Sequence, residues 1–192
     1  MHISIEGMDG VGKTTACALL AEKFDMEFIE KPLKYLFSED ADEGRYIEIR
    51  DYVNKQDDRI FTSWFYGLGN IYLYHKFGDR SIVTDRHLLS NYAWSGDSVS
   101  EIVFDTLLKA IGTPDHTFIL YAKPEKISAR IRSRNIADSD LRKIGSSEEK
   151  YEKMRYFAKR SKMSYSEIDS TDLTAEGVHQ RMIEELKSRG LI

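Results

Sequence analysis

The chain has 192 residues, 41% of them hydrophobic, and a formal net charge of −4. That is enough apolar material for one α/β domain with a packed core, and the charge balance excludes a global field that recruits nucleic acid or an anionic membrane. The single cysteine, Cys17, excludes an internal disulfide framework and suits a reducing cytoplasm; among Ala16, Ala18 and Leu19 it reads as a buried structural thiol.

Residues 1–6 alternate Ile3 and Ile5 with polar neighbours, as a strand does, and leave no room for a signal peptide. Gly7-Met8-Asp9-Gly10-Val11-Gly12-Lys13-Thr14 follows, and Ala16, Leu19, Leu20 and Phe24 then recur at helical spacing. Residues 26–29 read as a second strand, broken at Glu30-Lys31-Pro32 because proline disfavours helix at the residue before it. Residues 37–45 are acidic and weakly patterned, a loop. Helices are expected over 46–55 and 57–76; the second carries Phe61, Trp64, Phe65, Leu68, Tyr72 and Leu73, which suit either a core face or a base pocket. The longest stretch without formal charge, Ile60 to His75, is shorter than the ~20 apolar residues a spanning helix needs, so no membrane partner is expected.

Ser-Ile-Val-Thr-Asp at 81–85 is a third strand ending in an acid. Ser98 and Glu101 have capping-box spacing for a helix to Ile111, residues 116–122 form a fourth strand, and Pro124 opens a helix at its usual first-turn position. Residues 135–145 are a polar excursion. Ser146 and Glu149 repeat the capping-box spacing; a fifth strand at 163–168 and a helix at 175–187 complete the chain. Strands alternating with helices, without repeat or linker, predict one α/β domain over 1–192: a five-stranded parallel sheet with helices on both faces.

The strand, glycine loop and helix around Gly7 to Thr15 form G-x-x-x-x-G-K-T. Its glycines let the backbone aim N–H groups at phosphate, the helix N-terminus adds its dipole, Lys13 can reach the β- and γ-phosphates, and Thr14 can ligate Mg²⁺. This predicts binding of a nucleoside triphosphate such as ATP. Asp85, closing an apolar strand, suits the second metal ligand, and Arg86 offers a bidentate fork for phosphate. Arg130 and Arg134 share a helix face, while Arg142 in the excursion could swing over the phosphates. Asp138 and Asp140 interrupt this basic cluster, which argues against nucleic acid. Asn54-Lys55-Gln56-Asp57 spells a guanine-reading N-K-x-D, but it sits too early, between two helical stretches, and the only D-x-x-G in the chain, Asp9 to Gly12, lies inside the phosphate loop itself. A GTPase reading therefore fails.

Glu6 to Thr15, E-G-M-D-G-V-G-K-T-T, resembles the opening of the thymidylate kinase family. Asp85 to Gly96, D-R-H-L-L-S-N-Y-A-W-S-G, resembles that family's D-R-[YH]-x-x-S-x-x-A-Y-Q-G segment, and Pro114-Asp115 through Pro124-Glu125 to Arg134 resembles a third stretch. The resemblance spans nearly the whole chain. It implies a three-layer P-loop kinase fold with a lid over about 135–147, and ATP- and Mg²⁺-dependent transfer to a deoxynucleoside monophosphate. The alternatives are a deoxynucleoside kinase, or a relative that binds nucleotide without turnover. It implies Gly7, Asp9, Gly10, Val11, Gly12, Lys13, Thr14, Thr15 and Arg134 on the ATP side, and Lys13, Arg86 and the lid arginine Arg142 in catalysis. Thr14 and Asp85 would hold metal, and Asp9, Glu30, Lys31, Phe61, Trp64, Arg86, Ser90 and Trp94 would face the acceptor. Three acceptor-side positions depart from the family. Glu30-Lys31-Pro32 replaces Arg-Glu-Pro, Trp64 stands where an arginine reads thymine, and Ser95 replaces glutamine. The acceptor base therefore stays open. So does a homodimer, which many relatives form through helices around the third strand.

Overall fold

The computed structural model describes residues 1–37, 43–134 and 145–192, with only the backbone at Glu43 and Arg134. Strands β1 (His2–Gly7), β2 (Glu27–Glu30), β3 (Ile82–Asp85), β4 (His116–Tyr121) and β5 (Tyr165–Asp169) form one parallel sheet in the order β2-β3-β1-β4-β5. Helices α1 (Lys13–Phe24), α2 (Lys34–Phe37), α3 (Glu43–Val53), α4 (Arg59–Phe77), α5 (Leu88–Ser95), α6 (Glu101–Ile111), α7 (Pro124–Arg134), α8 (Ser147–Arg160) and α9 (Ala175–Ser188) flank it. The predicted α/β architecture is the one observed. The chain leaves β1 to one side for β2 and β3 and to the other for β4 and β5. The crevice beyond the carboxyl ends of β1, β3 and β4 is therefore the expected ligand position. Among the described residues no helix is long and apolar enough to cross a membrane.

The alternation in β1 has a different meaning from a half-solvated strand. All six residues are buried, because parallel sheets are covered on both faces. The polar set is satisfied inside: the His2 ring hydrogen-bonds with Tyr74 Oη at 2.7 Å and Thr84 Oγ1 at 2.9 Å, and burial lowers the His2 pKa to about 3. Cys17 is fully buried, as expected. Phe104 and Phe157 join Tyr92 in an aromatic core, with the rings of Tyr92 and Phe157 stacked at 4.4 Å.

Several boundaries differ from expectation for local reasons. Ser98 caps nothing. Helix α6 starts at Glu101 behind Ser100, and the Asp97 carboxylate takes the N–H groups of Val99 and Ser100, each at 2.9 Å. Ser146 stands at the N-cap of α8 but makes no side-chain cap bond. Asp58, accepting from Phe61 N, and Thr174, accepting from Gly177 N, do cap their helices with side chains. Helices α2 and α5 are additions. Seven of the eight α5 residues are buried, so no amphipathic period marks it. Of the loop expected over 37–45, residue 37 ends α2 and residues 43–45 open α3, while 38–42 lie outside the described residues, as do 135–144 of the excursion.

Candidate active site

The glycine loop joins β1 to α1. Gly7 adopts φ +137°, and a Cβ there would lie 2.2 Å from the Leu120 carbonyl oxygen of β4, so only glycine fits. Gly10 has φ +83°, with Ile131 of α7 2.9 Å from where a Cβ would stand. Lys13, at the first position of α1, turns back into the loop. Its Nζ donates to Met8 O at 3.0 Å and lies 3.7 Å from Asp9 Oδ1 and 3.9 Å from Asp85 Oδ1. Burial and the nearby Arg86 charge lower the Lys13 pKa, against the pull of Asp85 and Asp9. Thr14 Oγ1 donates to Asp85 Oδ2 at 2.7 Å.

Arg86 is the other cation of the site. It adopts φ +75°, a left-handed conformation that costs a non-glycine residue on the order of 1–3 kcal/mol. Three hydrogen bonds hold it there: Nη1 donates to Gly7 O at 2.9 Å and Ser90 Oγ at 3.1 Å, and Nη2 donates to Asp9 Oδ1 at 2.6 Å. Burial opposes the charge, yet Asp9 and Asp85 outweigh it and raise the Arg86 pKa. Beneath lies Glu6, fully buried, whose carboxylate accepts from the backbone N–H groups of His87, Leu89 and Ser90 and from the Ser90 hydroxyl. A carboxylate at a helix N-terminus is favourably placed against the dipole. Burial raises the Glu6 pKa, and the Ser90 hydrogen bond is the first influence opposing it. Glu6 thus ties the strand before the glycine loop to the helix after Asp85-Arg86.

A cleft of about 940 Å³ opens at the carboxyl ends of the strands. Asp9, Gly10, Gly12, Lys13, Thr14, Glu30, Lys31, Asp85, Arg86, Ser90 and Trp94 all line it, so most predicted site residues meet in one place. Gly7 and Val11 of the loop are buried and Thr15 is exposed on α1, and none of the three lines the cleft. Ser90 has a more specific part than acceptor contact, since it bridges Glu6 and Arg86. Arg130 binds away from the cleft, on Ser170 O at 2.7 Å. Arg134 ends α7 with its side chain undescribed, and Arg142 lies outside the described residues.

Phe61 and Trp64 require correction. They are 43% and 39% exposed on the outer side of α4 and do not line the cleft. Arg59, Thr62, Tyr66 and Asn70 do, at the i, i+3, i+7, i+11 spacing of one helix face. Arg59 Nη1 donates to Trp94 O at 3.1 Å, and Tyr66 Oη to Asn54 Oδ1 at 2.6 Å. Arg50 and Asp51 of α3 also line the cleft. These residues were missed in the sequence, although the polar period along α4 was the available signal. Of the Asn54 to Asp57 stretch, rejected as a guanine reader, Asn54 and Gln56 nevertheless line the cleft.

The arrangement can grip a polyphosphate with a glycine loop, two cations and paired oxygens at Thr14 and Asp85, in a cleft whose other wall is the polar face of α3 and α4. Comparison with known proteins agrees. The family profile described as Thymidylate kinase matches residues 5–182. A probable thymidylate kinase of Methanocaldococcus jannaschii is 27% identical over 98% of this chain and 96% of its own length, and one of Sulfolobus acidocaldarius is 28% identical over 83% of each. In fold, the chain is similar to thymidylate kinase from Candida albicans, with TM-score 0.73, 18% identity and coverage of 98% of this chain and 92% of that one. Deoxyadenosine kinase from M. mycoides superposes with TM-score 0.69 and 16% identity over 98% and 100%. A family match over nearly the whole chain, with the phosphate loop and Asp85-Arg86 brought into one cleft, means that this chain belongs to the thymidylate kinase family of nucleoside monophosphate kinases.

Proposed function

We propose that the chain transfers the γ-phosphoryl group of ATP to the phosphate of a deoxynucleoside monophosphate. The observation that carries this is the pairing of two cations with two carboxylates in one cleft: Lys13 against Asp85 and Asp9, and Arg86 against Asp9. Donor and acceptor phosphates can take over these partnerships, so charge is neutralised by groups already in position. An ionised acceptor phosphate attacks directly and needs no general base. Phosphoryl transfer then rests mainly on positioning and charge stabilisation. The Thr14 hydroxyl and Asp85 carboxylate fit Mg²⁺, which takes few protein oxygens and completes its shell with phosphates and water. Such an ion neutralises charge on the donor phosphates. Arg59, Thr62, Tyr66 and Asn70 would meet the acceptor base, in place of the outward Trp64.

A second reading, a deoxynucleoside kinase, is supported by Glu30, which lines the cleft at the end of β2 in register with Asp85. Its carboxylate could take the proton of a 5′-hydroxyl. An ADP-release screen with ATP and Mg²⁺, over deoxynucleosides and their monophosphates, should give turnover with monophosphates alone. In that case Glu30→Gln should keep or improve kcat, because it removes a negative charge facing the acceptor phosphate. Turnover with nucleosides only, together with a loss of about 10²-fold or more in Glu30→Gln, would establish the second reading instead.

We also infer a homodimer through the outer side of α4, where Phe61, Trp64 and Leu68 form an exposed apolar stripe. Sedimentation velocity across the micromolar range should show twice the chain mass. A monomer at every concentration would sink this assignment.

A further inference from the structure

The peptide group between Gly7 and Met8 opens the phosphate loop. Gly7 has no side chain, and its φ of +137° is one that L side chains rarely adopt. The group is gripped from outside at both ends. Its carbonyl, Gly7 O, accepts from Arg86 Nη1 at 2.9 Å, and its N–H, on Met8, donates to Tyr151 Oη at 3.3 Å. The next carbonyl, Met8 O, accepts from Lys13 Nζ at 3.0 Å. Tyr151 comes from α8, far along the chain, and donates its own hydroxyl proton to Leu120 O of β4 at 3.1 Å. Leu120 is the ladder partner of Gly7, so the hydroxyl sits where β1 and β4 separate and the loop begins. The tyrosine is 3% exposed; its ring stands edge-on to Tyr121 at 6.3 Å, and the Arg155 guanidinium lies 5.9 Å from its centroid. Burial pushes its pKa up to about 12, so the hydroxyl keeps its proton at neutral pH.

A buried tyrosine needs some partner for its hydroxyl, and an ordinary structural role would be met by the Leu120 carbonyl alone. The bond from Met8 N is different, because it falls on the same peptide group that carries Arg86 and next to the carbonyl that carries Lys13. We propose that Tyr151 is a positioning residue for phosphoryl transfer: from α8 its hydroxyl fixes the Gly7–Met8 peptide, and through that peptide the seats of Arg86 and Lys13. This rests on reading the glycine loop as the phosphate site. Without the hydroxyl the peptide can rotate about Gly7, and both cations lose their register with the transferred group. Misplacement by about 1 Å can cost on the order of 10²-fold in rate.

Tyr151→Phe keeps the ring and removes only the hydroxyl. In the full-length protein, assayed by ADP release with ATP, Mg²⁺ and the best acceptor of the screen, kcat should fall about 10-fold or more. KM for both substrates should stay within about 2-fold, with kcat normalised to the fraction of protein that binds ATP so that any loss of fold is discounted. The effect should also depend on Arg86: in an Arg86→Lys background the added Tyr151→Phe change should cost less than about 2-fold. An unchanged kcat in Tyr151→Phe, or the same loss in both backgrounds, overturns the proposal. Lys13→Ala separates the two levels. If that variant is inactive while Tyr151→Phe is normal, only the tyrosine assignment fails; if Lys13→Ala turns over normally, the phosphate-loop reading falls and the tyrosine assignment with it.

Discussion

Lys13→Ala should lower kcat by roughly 10³-fold while leaving the far-UV circular dichroism spectrum unchanged. The side chain is 6% exposed and donates into the loop that must cradle the donor phosphates, so no water-borne cation can replace it at that distance. Its charge is costly in the folded protein: burial and Arg86 both depress its pKa, and Asp85 and Asp9 are the main influences that oppose them. Removing it therefore relieves a strained charge as well as breaking two ion pairs. The fold should tolerate the change because Asp85 keeps the Thr14 hydroxyl. Binding energy is thus held in reserve for the phosphates, in keeping with interactions that strengthen toward the transition state. Turnover within tenfold of the parent protein would remove the glycine loop from the chemistry.

Glu6→Ala should have the largest effect on stability. The carboxylate is fully buried and takes three backbone N–H groups at the start of α5 as well as the Ser90 hydroxyl. Alanine leaves those donors in the interior without an acceptor, at about 1–3 kcal/mol each. Burial already disfavours the Glu6 charge, and its removal offsets part of that sum. A net loss of about 3–5 kcal/mol is expected, which for a chain of this length lowers Tm by roughly 6–20 °C. Glu6→Gln keeps one acceptor oxygen and should fall between. Scanning calorimetry that shows Glu6→Ala within 2 °C of the parent would mean that α5 does not depend on this anchor. Activity should fall alongside stability, since Ser90 and Arg86 lie directly above it.

Much of the site is legible in the sequence because its residue types are tied to backbone geometry. A loop that must turn tightly and expose N–H groups needs Gly7, Gly10 and Gly12, and the lysine and threonine must follow at fixed spacing. Asp85-Arg86 was recognisable because an acid ending an apolar strand has few structural uses. The rest was hidden for definite reasons. Helix α4 carries aromatics on both sides, so composition could not phase it. One turn of 100° per residue decides that Thr62 and Tyr66 face the cleft while Phe61 and Trp64 face out. Helix α5 is buried nearly all round and has no polar face to reveal it. Glu6 carries no local signal of its part; only the tertiary fold shows the helix it anchors. Tyr151 is separated from Met8 by most of the chain, and no local pattern links them.

The strand order carries a consequence for synthesis. Strand β1 is made first, yet its neighbours are β3 and β4, and Ile3 finds His116 only after more than half of the chain exists. Tyr151, which closes the far side of the glycine loop, arrives later still. Until β4 is made, the edge of the first strand that faces it stays unpaired, a state exposed to wrong association. A nucleotide cannot template its own site on the ribosome, because the cradle does not exist while its opening residues wait for their partners. The phosphate cradle is therefore complete only after Tyr151 of α8 has reached Met8.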